Sequence, residues 1–193
     1  MWSRARLRFL ATTCMIVVAR ALDAWTTWLA TPNLALEANP LERLLHLGWW
    51  GMLVMNAIVV ALVAFAAWHA AFRAPPLPAE AGLDQEAFVG RYWFSSRERH
   101  TRAQAMLWLP ADRRVRWAFI GGPGAALVIA GSLVAAGWNL LVARRIVVAH
   151  TAGVVGIAIF WGAVLAGLGV AVHVFLRRAY RRYSRTATGE PAT

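Results

Sequence analysis

Four blocks of apolar residues, each about as long as a bilayer is thick, dominate this sequence. They cover roughly residues 7–30, 47–72, 117–142 and 146–176. Hydrophobic residues make up 60% of the chain, whereas soluble domains contain about 45–50% apolar residues. A helix needs about 20 apolar residues to cross the hydrocarbon core. The sequence therefore predicts an all-α polytopic membrane protein, in which residues 1–193 form a single membrane domain with four transmembrane helices in an antiparallel bundle.

The basic residues predict the orientation of these helices. All 20 are Arg, and they lie mostly at the ends of the apolar blocks. Sixteen belong to the N-terminus, the long central segment 73–116 and the C-terminal tail, while three belong to the two other connections. The positive-inside rule then places both termini and the central segment in the cytoplasm. We expect a multi-pass protein of the bacterial inner (cytoplasmic) membrane, surrounded by membrane lipids.

The net charge of +11 raises nucleic-acid binding as an alternative. Such a site needs a basic stripe on a folded soluble face, whereas these charges flank apolar blocks, so we expect no nucleic-acid partner. The first block also begins like a signal peptide, with Arg4, Arg6 and Arg8 before a short apolar run. Its helical pattern continues through Trp25 and Trp28, which favours a retained helix.

Two ionisable side chains lie inside the first apolar block. Arg20 and Asp23 are three residues apart, so they share one face of a helix and can pair with each other. A charge inside a membrane segment costs at least about 2.5–3.5 kcal/mol on insertion scales, so it needs a partner or a function. Two interpretations stay open: a structural ion pair that fastens the bundle, or part of a ligand site.

Polar residues of the other helices are predicted at a similar depth. Counted at about 1.5 Å per residue, each helix brings a polar group to the outer half of the membrane, beneath a hairpin with a carboxylate and an amide. Carboxylates with hydroxyls and amides could bind a cation, a proton or a lipid headgroup, and the pattern specifies no particular metal. The candidate ligand-binding residues are Asp23, Thr27, Glu37, Asn39, Asn56, Asn139 and His150.

Two short motifs stand at the end of the first block and in the hairpin: Asp-Ala-Trp-Thr-Thr at 23–27 and Glu-Ala-Asn-Pro-Leu at 37–41. Over about residues 20–70 the chain resembles the prokaryotic membrane family known as domain of unknown function 5658. In that family an Asp with nearby Thr ends the first helix, and Glu-x-Asn-Pro follows in the hairpin. The resemblance implies no activity, because the family has none assigned, and the central segment and second helical pair depart from it.

The central segment 73–116 is long, basic and rich in aromatic residues. Aromatic and Arg residues are interleaved in its middle part, which predicts either an interfacial helix on the cytoplasmic membrane surface or a solvated loop. We expect Trp93 and Trp108 at the level of the headgroups. The tail at 186–193 is predicted to be disordered.

Motifs of soluble catalysis are absent from the sequence, which contains no Gly-x-Ser-x-Gly, no His-Glu-x-x-His and no phosphate-binding loop. Haem is disfavoured because His150 and His173 are about 34 Å apart along a helix, which places both outside the hydrocarbon core. We predict no cofactor. Besides a protein with a polar pocket, two alternatives stay open: an accessory subunit of a larger membrane complex, and a membrane enzyme acting on a lipid through Asp23, Glu37 and His150.

Overall fold

The computed structural model describes residues 3–34, 48–144 and 149–187, with the backbone alone at 149–157, 159 and 160. These residues form helices and connecting turns with no strand among them, so the predicted all-α class is confirmed. The helices, in chain order, are α1 (Arg4–Ala30), α2 (Gly48–Phe72), α3 (Gln85–Phe94), α4 (Arg102–Ala105), α5 (Arg113–Phe119), a π-helix (Ile120–Gly124), α6 (Ala125–Ala143) and α7 (Ala149–Ala187).

Three helical segments are long and apolar enough to cross a membrane: Gly48–Phe72, Arg113–Ala143 and Trp161–Ala187. Most of their side chains are not buried inside the protein. Apolar surfaces of this size are unfavourable in water, and lipid satisfies them. The fold therefore indicates a membrane protein. α1 has a comparable length, 27 residues or about 40 Å, but it carries Arg20 and Asp23 within its apolar stretch.

α1 packs against both α2 and α6. It runs in the opposite direction to α2, because Phe9 near the start of α1 contacts Phe72 at the end of α2, with 6.2 Å between the ring centroids. One residue from each of the three helices meets in a small buried contact. These residues are Ile16, Val63 and Ala125.

The π-helix brings the start of α6 against α2. Gly121 is buried there, and a Cβ added to it would overlap the backbone of α2 at the Ala66 carbonyl oxygen. Gly122, the next residue, has open space at the equivalent position. The wider turn of a π-helix also accommodates Pro123, which has no N–H to donate and would disrupt a regular α-helix. Only glycine at position 121 permits the two backbones to approach this closely.

The central segment folds with the end of α7 into a second core, here called the aromatic core. α7 continues to Ala187, beyond the predicted end at residue 176, and its 39 residues extend about 58 Å. That is nearly twice the roughly 30 Å of a hydrocarbon core, so part of α7 is left to pack on other elements. Thr186 and Ala187 of the predicted disordered tail are helical, and residues 188–193 lie outside the described residues. The buried residues of the aromatic core are Phe88, Val89, Tyr92, Trp93, Ala105, Val115, Phe119, Val172, Leu176, Ala179 and Tyr183.

Trp93 lies inside the aromatic core, so its ring contacts other side chains and is not exposed to lipid headgroups. Only 1% of its side chain is exposed, and its Nε1 donates a hydrogen bond to the Trp108 carbonyl oxygen at 2.9 Å. The ring packs edge-to-face against Phe119, at 5.1 Å between centroids. Burial beside it raises the pKa of Tyr92 to about 12, so that phenol is neutral. Trp108 itself remains exposed.

Candidate functional site

Arg20 lies at the centre of a polar cluster between α1, α2 and α6. Its Nη1 donates to Asp23 Oδ2 at 2.9 Å and to Ser132 Oγ at 3.2 Å. Its Nη2 donates to Asn56 Oδ1 on α2. The side chains of Arg20 and Asp23 are 24% and 16% exposed, so the ion pair is mostly removed from solvent. The cluster as a whole is electrically neutral, which lowers the cost of placing it among apolar helices.

The helix directions explain why these side chains meet. Arg20 and Asp23 are one turn apart on α1, so they face the same neighbours. Thr27 lies two turns after Arg20, and its Oγ1 accepts a hydrogen bond from Asn139 Nδ2 at 2.9 Å. Asn139 is likewise two turns after Ser132 on α6. The two polar contacts therefore fix one register, in which α1 and α6 run side by side in the same direction.

Arg20 has hydrogen-bonding capacity that the cluster does not use. A guanidinium carries five N–H donors, and three of them are engaged by Asp23, Ser132 and Asn56. Its Nε is buried and has no hydrogen-bond partner within the described ranges. A buried donor without a partner costs about 1–3 kcal/mol, so an acceptor group would stabilise this arrangement.

A groove of about 210 Å³ lies beside the cluster, between α1 and α2. Its walls are apolar except for the side chains of Arg20 and Asn56, and Val17 and Leu53 at its edge are about half exposed. The groove is thus open to whatever surrounds the helices. The residues that line it are Val17, Arg20, Ala21, Ala24, Leu53, Asn56, Ala57 and Val60.

The other predicted site residues are not seen in contact with Arg20. Thr27 and Asn139 pair with each other. Glu37 and Asn39 lie outside the described residues, and His150 belongs to α7 with only its backbone described. Among the residues that the structure describes, no group of three or more His, Cys, Asp or Glu side chains could hold a metal ion.

Ser132 is the cluster residue that the sequence analysis missed. It is 3% exposed, within an otherwise apolar stretch of α6. A serine alone is a weak signal in a membrane helix, because its hydroxyl can bond to its own backbone. Ser132 is as far from Arg20 in the sequence as Asn139 is from Thr27. This equal spacing identifies Ser132 as a partner of Arg20 only when the register of α1 against α6 is known.

No family model, no curated protein and no solved structure matches the chain. The resemblance to domain of unknown function 5658 therefore stays a prediction.

Proposed function

We propose that all four long helices cross the inner membrane of a bacterium, with both termini in the cytoplasm. α1 is the fourth span despite its charges. It is long enough, it contacts α2 and α6, and Asp23 neutralises Arg20. The apolar residues Leu7, Val18 and Leu29 are exposed on its surface, where lipid would cover them. The distribution of Arg supports the orientation, because the aromatic core and both ends of the chain then share the cytoplasmic side.

Reporter fusions test this topology. Fusions after Ala30, Phe72, Ala143 and Ala187 are expected to report outside, inside, outside and inside in turn, because each follows the end of a spanning helix. Paired periplasmic and cytoplasmic reporters at each position measure this. A fusion after Ala187 that is active only in the periplasm would contradict the proposal.

We further propose that the groove binds the anionic headgroup of a lipid-soluble ligand through Arg20. The observation that carries this proposal is a guanidinium with unused donors in the wall of an apolar groove. A cation is less suited to the groove, because Arg20 lines it and Asp23, the acidic partner in the ion pair, does not. An anionic group with an apolar chain matches both properties, since charge-assisted hydrogen bonds to guanidinium are strong and the walls accept hydrocarbon. The resemblance to domain of unknown function 5658 adds no competing activity.

The depth of the cluster limits the kind of ligand. Asn56 lies eight residues into α2, about 12 Å from its start, and Asp23 lies seven residues before the end of α1, about 10 Å. The headgroup must therefore sit below the membrane surface. A single-chain amphiphile with a small carboxylate or phosphate meets this condition more easily than a bulky headgroup.

A photoactivatable fatty acid tests the groove. Its free carboxylate form is expected to crosslink to peptides of α1 and α2 in the full chain, and its methyl ester about tenfold less, because only the carboxylate forms charge-assisted bonds. The double variant Arg20→Met with Asp23→Leu removes the charges as a pair and is expected to lose the preference for the carboxylate. The control is Thr27→Val with Asn139→Leu, which removes the polar pair two turns away.

Mass spectrometry of the crosslinked peptides gives the yields. The control should keep the preference for the carboxylate. Equal labelling by acid and ester, or unchanged labelling of the Arg20→Met and Asp23→Leu variant, would withdraw the ligand assignment and leave the cluster as a structural fastening.

A further inference from the structure

Basic side chains of α4 and α7 converge near the end of the apolar part of α7. Arg102 of α4 donates a hydrogen bond through Nη1 to Nδ1 of His173, at 3.3 Å. Arg177 lies one turn further along α7 than His173, on the same face. Burial, and after it the charge of Arg177, lowers the pKa of Arg102 from its usual value.

No acidic side chain within the described ranges neutralises this cluster. Among the described residues, no carboxylate forms an ion pair with Arg102, His173 or Arg177. The Nε of Arg102 is buried and has no hydrogen-bond partner in the part of the chain that the structure describes. Two neighbouring guanidinium groups repel each other unless an anion lies between them, and guanidinium matches phosphate geometry well.

An exposed apolar loop, residues 106–109, directly follows α4. Leu107, Trp108 and Leu109 expose 80%, 68% and 60% of their surface. The loop is held in place, because the Trp108 carbonyl oxygen accepts the hydrogen bond from Trp93 in the aromatic core. Three consecutive large apolar side chains turned outward on a fixed backbone are unfavourable in water and favourable in the acyl region of a leaflet.

The loop and the basic cluster lie at different depths along α7. The side chain of Met106 fills the space beside Gly169, while Arg102 contacts His173. Gly169, His173 and Arg177 follow one another at four-residue spacing, so each step along this stripe is about 6 Å. Met106, at the start of the loop, therefore lies about 12 Å from Arg177 along α7, toward the apolar part of that helix.

We propose that Arg102, His173 and Arg177 bind the phosphate of an anionic phospholipid in the cytoplasmic leaflet, with the 106–109 loop against its acyl chains. The leaflet rests on the topology proposed above, whereas the site is separate from the groove beside Arg20. Because Nδ1 of His173 accepts from Arg102, the ring keeps its Nε2–H as a further donor for phosphate oxygens.

Native mass spectrometry of the full chain in detergent tests the site, with phosphatidylglycerol or phosphatidylcholine added. Phosphatidylglycerol is expected to bind the unaltered chain, and the double variant Arg102→Gln with Arg177→Gln to bind it about thirtyfold more weakly, the loss of two phosphate contacts. The control variant, Arg97→Gln with Arg114→Gln, removes the same charge from exposed positions elsewhere. It should bind phosphatidylglycerol as the unaltered chain does.

Three results would overturn the proposal. Equal losses in the test and control variants would show attraction by net charge alone, and equal binding of phosphatidylcholine would exclude recognition of an anionic lipid. Displacement of the lipid by millimolar inorganic phosphate would make a free anion the ligand. If the double variant does not fold, Arg177→Gln alone replaces it, because that side chain is exposed, and about a fivefold loss is expected. Detergent has no leaflets, so a reversed topology in the fusion experiment leaves these results unchanged.

Discussion

Replacing Asp23 by leucine is expected to destabilise the folded protein by about 3 kcal/mol, as when one partner of a buried ion pair is removed. Asp23 is the acidic partner of Arg20 in the described part of the chain, and the other partners, Asn56 and Ser132, are neutral. The guanidinium would stay charged, mostly buried and surrounded only by dipoles. Titration with SDS in mixed micelles, followed by far-UV circular dichroism, measures the free energy of unfolding of both proteins. The difference between them is the destabilisation.

The double variant Arg20→Met with Asp23→Leu should recover most of this loss, because a pair removed whole leaves no charge behind. Glu98→Gln is the control for removing a carboxylate, since the side chain of Glu98 is 84% exposed. It should change the free energy of unfolding little. A double variant as unstable as Asp23→Leu alone would mean that the cluster stabilises the bundle through more than charge neutrality.

Replacing Trp93 by alanine is expected to destabilise the aromatic core by about 3–5 kcal/mol, the usual cost of deleting a buried aromatic side chain. Cleavage by trypsin at the exposed residues Arg97 and Arg99 should become on the order of a hundredfold faster, because the open state becomes more populated. Trp108→Ala is the matched control. Trp108 is mostly exposed, and its backbone carbonyl, which bonds to Trp93, is unchanged by the substitution.

The cleavage rates of Trp93→Ala and Trp108→Ala show whether the buried side chain of Trp93 stabilises the central segment. Equal acceleration in both variants would contradict a core built around that side chain. Unchanged cleavage in Trp93→Ala would show that the segment opens without disturbing this core.

The long apolar helices could be predicted from the sequence because their signal is local. Gly48–Phe72 and Arg113–Ala143 are long runs of apolar residues, which no soluble core of this size can bury. The pairing of Arg20 with Asp23 is local in the same sense, since their spacing alone puts them on one helix face. Structure could be inferred where it depends on one continuous stretch of sequence.

The aromatic core and Ser132 could not be predicted, because both depend on contacts between distant segments. Phe88 and Tyr92 are one turn apart on α3, and this spacing in the sequence indicates an apolar helix face. On α7, Phe88 contacts Tyr180 and Tyr183, which lie more than 90 residues later and beyond residue 176, where the apolar block was predicted to end. Ser132 acquires its role from the register of α1 against α6. Sequence patterns describe the faces of single helices and do not specify which faces meet.

The π-helix amounts to a helix with one inserted residue. Each residue of a regular helix turns the chain by about 100°, so this insertion rotates every later side chain of α6 by about that angle relative to α5. Val115 before it faces the aromatic core, and Ser132 after it faces Arg20. A uniform helix would tie these two directions together. The insertion sets the angle between these two directions about 100° away from the angle that a uniform helix would give, so that one continuous helical segment can serve both contacts.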